Sequence, residues 1–333
     1  MKNNIITLKK RPIGTPTSDD FQFIKEDMPI ANAGEVLLKT LYVSVDPYLR
    51  GRMNDAKSYV PPFQLNQPIQ SGIIAEVIES KNEAFPKGVF VSGRLDWKEF
   101  QTSNGSNLMI VDATVAPLSA YLGILGMTGL TAYLGLMEIG KPKAGETIFV
   151  SGAAGAVGSV VGQIGKILGC KVAGIAGTND KVSLLKNEFG FDEAINYKSS
   201  SDLKKDIAAS CPDGIDVYFD NVGGSISDAV MTQMNRLGRI VVCGAISLYN
   251  STEIPTGPRV QPMLITKSIL MQGFIISNYA DKFPQAMIQL SGWLKEGKLT
   301  NKETIIEGFD KIPEAFMGLF VGKNEGKMVV KVS

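Results

Sequence analysis

The chain has 333 residues, with 34 Lys and Arg against 33 Asp and Glu for a net charge of +1, and 44% of its residues are hydrophobic. That length suits two domains, or one domain set into another, and the balanced charge offers no excess to steer the chain to nucleic acid or to an anionic membrane. It contains no histidine, which removes the commonest general base, the commonest metal ligand and every Ser-His or Cys-His nucleophile pair.

Residues 1–16 carry lysines but no continuous apolar run, so no secretory signal is expected. Residues 35–45 and 71–78 read as strands with Pro and Gly between them, and the first 120 residues or so are mainly β. Residues 113–137 are uncharged and long enough to span a bilayer, yet Pro117 and the glycines at 123, 126, 129 and 135 interrupt them. No Lys or Arg cluster flanks them, so the pattern predicts two short buried helices and no membrane span.

From residue 147 the texture changes to alternating strand and helix: strands at 147–151, 171–176, 193–196, 215–220 and 238–243, helices at 155–168, 180–189, 202–210 and 225–235. Such alternation specifies an α/β fold with a doubly wound parallel sheet. Residues 269–277 read as its last strand and 283–296 as a helix, while 303–307, 313–321 and 327–332 read as β-like closing segments that return to the first domain. Gly126 and Gly297 are the expected hinges. Cys170, Cys211 and Cys243 are an odd, widely spaced set without a C-x-x-C pair, which fits a reducing cytoplasm.

The run Phe149-Val150-Ser151-Gly152-Ala153-Ala154-Gly155-Ala156-Val157-Gly158 passes from an apolar strand through small residues into an amphipathic helix. Small residues let the backbone approach a pyrophosphate, whose charge then rests on the unpaired N–H groups of the helix N-terminus. A NAD-specific unit places Asp or Glu at the end of the next strand; here that strand ends in Gly177-Thr178-Asn179. A 2′-phosphate fits instead, with Lys181 as its charge partner and the Tyr197 hydroxyl as a donor, which favours NADPH. The nearby Asp180 is expected to cap a helix over 181–189.

Five motifs in order, Ser44-Val45-Asp46-Pro47-Tyr48-Leu49-Arg50-Gly51-Arg52-Met53, Gly126-Met127-Thr128-Gly129-Leu130-Thr131-Ala132-Tyr133, the glycine run, Asp220-Asn221-Val222-Gly223-Gly224 and Cys243-Gly244-Ala245-Ile246-Ser247, resemble the zinc-free medium-chain reductases. Within them the chain is similar to the NADPH-dependent 2-alkenal and enone reductase group, from about residue 10 to the C-terminus. The resemblance implies a GroES-like catalytic domain from residues 1–122 and 298–333, around a Rossmann NADP-binding domain at 123–297. It implies that Gly152, Ala153, Ala154, Gly155, Ala156, Val157 and Gly158 cradle the pyrophosphate, with Lys181 and Tyr197 at the 2′-phosphate. Asn221, the turn of Cys243, Gly244, Ala245, Ile246 and Tyr249, Phe274 and Asn324 complete the cofactor site. Met127 stands where zinc-dependent relatives place a cysteine ligand, and Thr131 where the group faces the nicotinamide. Prostaglandin-type members carry a tyrosine where this chain has Ile265-Thr266-Lys267, so the curcumin-reductase type is the nearer match.

Reducing an activated C=C bond needs hydride at the β carbon and stabilisation of the enolate on the carbonyl side, and neither needs histidine or a metal. By resemblance Tyr48 is the first candidate beside the substrate and Tyr59 the second. Arg50 and Arg52 divide between a cofactor or carbonyl contact and a structural ion pair. The expected substrate is a small enone or enal, in a homodimer paired along residues 269–276. Two readings stay open beside it: a quinone oxidoreductase using the same cofactor, and a non-enzymatic NADPH sensor or RNA-binding protein.

Overall fold

The computed structural model describes residues 2–333. Strand β1 (Lys2–Leu8) pairs antiparallel with β2 (Phe21–Asp27), Ile5 facing Ile24. Then follow β3 (Val36–Ser44), the single turn α1 (Leu49–Arg52), β4 (Gln70–Ser80), β5 (Phe90–Asp96), β6 (Phe100–Ser103) and β7 (Leu108–Val111). After α2 (Met127–Leu134) come β8 (Thr147–Val150), α3 (Gly158–Ile167), β9 (Lys171–Ala176), α4 (Asn179–Asn187), β10 (Glu193–Asn196), α5 (Leu203–Ser210), β11 (Ile215–Asp220), α6 (Gly224–Met231) and β12 (Met234–Val242). The chain closes with α7 (Gln261–Lys267), β13 (Leu270–Gly273), α8 (Phe283–Lys295), β14 (Glu303–Glu307), α9 (Ile312–Phe320) and β15 (Lys327–Lys331).

These elements divide into two compact units. The first holds Met1–Leu122, Glu303–Asn324 and Met328–Ser333, and the second holds Gly123–Lys302 with Glu325–Lys327. The second division thus falls at 302/303 rather than 297/298, and a three-residue stretch near the C-terminus counts with the second unit.

In the first unit, neighbouring strands run in the order β14-β15-β3-β4-β5-β7, with β6 also paired to β3. Strand β4 is covered on both faces at its middle, where Ile73 and Ala75 enter the main core and Ile74 packs with Val111, Leu122 and Val329 in a second cluster. Its core gathers on Trp97, which stacks on Phe21 at 6.5 Å and donates its indole N–H to Ser71 Oγ at 2.8 Å. In the second unit the sheet runs β10-β9-β8-β11-β12-β13, parallel throughout. All four residues of β8 and five of the six of β9 are buried, as strands covered by helices on both faces demand.

Four expectations change. Residues 313–321 are helical, not β-like: Pro313 sits in the first turn, where its missing N–H has no partner to lose. Ile312, Ala315, Phe316 and Leu319 then face inward at helical spacing, and Phe316 meets Phe21 edge-on at 6.4 Å. The strand expected over 269–277 stops at Gly273, and a 3₁₀ turn occupies Ile276–Lys282. The helix expected over 225–235 ends at Met231, because the chain already enters β12 at Met234. Thr178 and not Asp180 caps α4; its extended backbone lets the side-chain oxygen accept from Lys181 N–H, while Asp180 lies inside the helix.

The uncharged 113–137 stretch becomes a 3₁₀ turn at Leu118–Leu122 and then α2, which runs on into a π turn at Gly135–Gly140. Among the described residues, no helix is long and apolar enough to cross a membrane. The helical assignment of α9 separates two substitutions. Phe316→Ala, fully buried, lowers stability by about 3–5 kcal/mol. Val321→Ala, 62% exposed just past the helix end, changes it by less than about 0.5 kcal/mol. Urea unfolding midpoints of the two variants measure the difference.

Candidate active site

Five of the six strands of the parallel sheet end beside a residue expected at the cofactor, and β9 ends where a NAD-type carboxylate is missing. Gly152 follows β8, Gly177 follows β9, Tyr197 follows β10, Asn221 follows β11, Cys243 follows β12 and Phe274 follows β13. The strand order turns back on itself between β8 and β11, and ligands of open α/β sheets bind outside the carboxyl ends of strands at such a reversal.

At that reversal the backbone is knotted by one carboxylate. Asp220 Oδ1 accepts from Ser151 Oγ at 2.9 Å, from Tyr218 Oη at 2.8 Å, and from the N–H groups of Val222 and Gly223 at 3.0 and 2.9 Å. Asn221 completes it, its backbone N–H donating to Ser151 Oγ at 2.9 Å and its side chain to Ser151 O at 2.7 Å. Burial pushes the Tyr218 phenol well above its usual range, so it stays a donor. Sequence reasoning named Asn221 but missed Ser151, Tyr218 and Asp220; the Asp-Asn-Val-Gly-Gly run was the available signal.

The glycine loop is shaped for an anion. Gly152 takes φ +58°, Gly155 N–H donates to Gly152 O at 3.0 Å, and a Cβ at Gly158 would collide with the Gly152 carbonyl. Ala153 is fully buried and Ala154 nearly so; Ala156 and Val157 lead into the ten-residue α3. Gly326 N–H donates to Ala154 O at 2.8 Å, bringing residues 325–327 alongside the loop; Asn324 is the first-unit residue just before them.

At the end of β9, a Cβ on Gly177 would lie 3.0 Å from Tyr197 Oη, so glycine lets that ring cover the corner without being displaced. Lys181 stands in the first turn of α4, half-buried. Burial lowers its ammonium pKa, Lys198 adds to this, and Glu325 opposes it. Lys181 is a partly desolvated cation under the influence of Glu325, and β9 itself ends in Gly177-Thr178-Asn179 without a carboxylate, a corner that suits the 2′-phosphate of NADPH.

The turn after β12 is sewn to the knot: Ile246 N–H donates to Asn221 O and Ser247 Oγ to Val222 O at 2.6 Å. Burial and then Asp220 push the Cys243 thiol up to about 12, so it is a packing group rather than a nucleophile. Tyr249 Oη accepts from Ala245 N–H at 3.2 Å and approaches Gly244, so this tyrosine braces the turn. Met127 and Thr131 lie one helical turn apart on α2, Thr131 Oγ1 donating to Met127 O at 2.7 Å. Phe274 packs edge-on against Tyr279 at 6.2 Å, and Gly135 leaves the space it needs.

In the first unit Tyr48 precedes α1 and packs on that unit's core. Burial raises its phenol pKa far above the ordinary value; Asp46 adds to this, and the charges of Arg94 and Arg52 act against it. Tyr59 is 62% exposed on the following loop. Arg50 is engaged by its own unit's backbone. It is buried, with Nη2 donating to Pro12 O at 3.1 Å and Gly14 O at 3.0 Å and Nη1 to Asn54, so it ties the 12–14 loop to α1. Sequence alone could not divide its roles, because the carbonyls that claim it lie 36 and 38 positions away.

Comparison with known proteins places these two halves in established families. Residues 4–111 match the N-terminal domain of oxidoreductase, and residues 156–292 match zinc-binding dehydrogenase. The Bacillus subtilis (strain 168) protein YfmJ, named provisionally as an NADP-dependent oxidoreductase, is 58% identical over 98% of this chain and 97% of its own. The NADPH-dependent curcumin reductase of Escherichia coli (strain K12) is 40% identical over 100% of this chain and 97% of its own. The crystal structure of CurA from Vibrio vulnificus in complex with NADPH superposes with a TM-score of 0.94, at 42% identity over 99% of each chain.

The corner at Lys181 predicts a cofactor preference. Lys181→Ala weakens NADPH binding about tenfold or more and leaves NADH nearly unchanged, since only NADPH carries the extra charge. In the unaltered protein, NADPH affinity falls as pH rises through the Lys181 pKa, at a lower pH than an unburied lysine gives, because the deprotonated amine no longer attracts phosphate. Fluorescence titrations with both cofactors across pH measure both effects.

Proposed function

The chain belongs to the medium-chain reductases as an NADP-dependent oxidoreductase, and from that premise we propose that it reduces the C=C bond of α,β-unsaturated ketones and aldehydes. One feature carries the reading: Tyr48, packed on the first unit's core just before α1, where burial raises its phenol pKa and the charges of Arg94 and Arg52 act against the rise. When hydride reaches the β carbon of an enone, charge develops on the carbonyl oxygen, and a neutral donor held there lowers the barrier. A raised pKa keeps Tyr48 in its donor form throughout the physiological range.

NADPH, when bound, supplies the hydride. The Gly152–Gly158 loop receives its pyrophosphate, Lys181 and Tyr197 hold its 2′-phosphate, and the Asp220 knot keeps Asn221 and the 243–249 turn in register around it. Tyr48 orients the carbonyl by a hydrogen bond; the proton that ends on the α carbon comes from Tyr48, a ribose hydroxyl or water. Tyr59, on its exposed loop, is the second substrate contact. The reaction as proposed draws on no zinc, and the chain has no histidine to supply the commonest zinc ligand.

Two further assignments belong to this reading. The cysteines Cys170, Cys211 and Cys243 are free thiols, as a reducing cytoplasm maintains. The edge strand β13 presents all four residues to solvent, with Leu270 49% exposed and Met271 39% exposed, and two copies pair along it. Met271→Lys shifts the sedimenting species from dimer to monomer; a wild-type chain that sediments as a monomer at all concentrations refutes the pairing.

NADPH consumption with 3-nonen-2-one, 4-hydroxynonenal and curcumin, and recovery of the saturated products, tests the activity. Turnover confined to 1,4-benzoquinone overturns it. Tyr48→Phe lowers kcat by about 10²-fold while NADPH affinity holds, as loss of a proton or hydrogen-bond donor does.

A further inference from the structure

The side-chain amide of Asn196, the last residue of β10, has one workable orientation. The backbone N–H of Lys198 donates to Asn196 Oδ1 at 3.1 Å, and a backbone N–H can only donate. That contact assigns the oxygen, so the other end of the amide is the donor, and Asn196 Nδ2 donates to Asn179 Oδ1 at 2.7 Å. Asn179 is assigned in turn. Its oxygen is taken by Asn196, and its Nδ2 is left at the exposed start of α4. Among the described residues no protein group accepts from that Nδ2.

Backbone contacts hold both asparagines in place. Asn196 is half-buried and lies opposite Ala176 where β10 pairs with β9, and the next residue, Tyr197, donates its N–H to Ala176 O at 3.1 Å. Asn196 O accepts from the N–H and the Oγ of Ser199, both at 3.2 Å. On the facing side Thr178 Oγ1 accepts from Lys181 N–H at 3.3 Å, which seats Asn179 as the first residue of α4. Asn179 therefore stands between Gly177, which the Tyr197 ring covers, and Lys181.

We propose that Asn196 is a positioning residue for cofactor selection, acting through Asn179 by keeping the donor end of that side chain turned toward the corner that receives the 2′-phosphate. An asparagine offers an oxygen or an NH₂ group according to which way it is turned, and the two ends suit different ligands. An outward oxygen accepts from ribose hydroxyls, as the carboxylate of a NAD-type unit does. An outward NH₂ group donates to phosphate oxygens and leaves those hydroxyls unserved. The run from Lys198 N–H through Asn196 to Asn179 admits only the second arrangement. The relay rests on the assignment of the end of β9 to the 2′-phosphate, and it adds a neutral amide to the charge of Lys181 as a source of discrimination.

Fluorescence titrations with NADPH and NADH give a ratio of affinities, and a ratio within one variant cancels any loss of folded protein. Asn179→Ala lowers the NADPH-to-NADH ratio about tenfold, since it removes a donor to a charged group. Asn196→Ala lowers it about threefold, since Asn179 is then free to turn either way. In the Asn179→Ala background, Asn196→Ala changes the ratio no further, because no amide remains for it to orient.

Equal weakening of both cofactors by Asn196→Ala makes Asn196 a purely structural residue and overturns the relay; so do losses that add in the double variant. Lys181→Ala, titrated beside them, separates the relay from the corner on which it rests. A ratio lowered by Lys181→Ala and untouched by either asparagine variant overturns the relay and keeps the corner. A ratio untouched by all three substitutions removes both.

Discussion

The buried carboxylate of Asp220 is the interaction on which the cofactor half of this protein depends. In a parallel sheet the strand ends are only loops, and loops do not by themselves hold a dinucleotide to hydrogen-bond accuracy. Asp220 converts two of them into one rigid object by accepting from Ser151 after β8 and from the Val222 and Gly223 amides after β11. The turn after β12 then hangs from the same backbone through Ile246 and Ser247. Three strand ends on either side of the reversal thus share one set of hydrogen bonds. Desolvation works in its favour, because Tyr218 remains protonated and keeps donating.

The other unit uses buried arginines for a comparable purpose. Arg50 has carbonyl and amide acceptors waiting for it, and it fastens a distant loop to α1. Arg52, two residues on, has one acceptor, one aromatic face and one unanswered donor. The two side chains differ little in sequence context, and the acceptors within reach separate a fully anchored cation from one with a donor left over. Tyr48 lies between these influences: burial and Asp46 hold its proton, while Arg52 and Arg94 favour its release.

Much of the architecture was legible in the sequence because parallel strands leave an unambiguous trace. Continuous apolar runs alternating with amphipathic helices located β8 through β12 to within a few residues, and the glycine run marked the first strand end. The closing segment misled because α9 is apolar on nearly every side; in a helix so fully buried, periodicity no longer separates 3.6 from 2. The cap of α4 misled for a different reason. Asp180 and Thr178 are both good capping residues, and only the extended backbone at Thr178 chooses between them.

By itself the sequence marked the change from a mainly β half to alternating strand and helix, favoured NADPH over NADH and excluded imidazole chemistry, since each follows from residue types at short spacing. Tertiary structure alone decided which polar groups are satisfied. The Asp220 knot joins residues 69 positions apart, and Arg50 meets carbonyls 36 and 38 positions away. Whether a charge is anchored, opposed or left with an open donor depends on what long-range folding brings beside it. No local pattern in the chain records that.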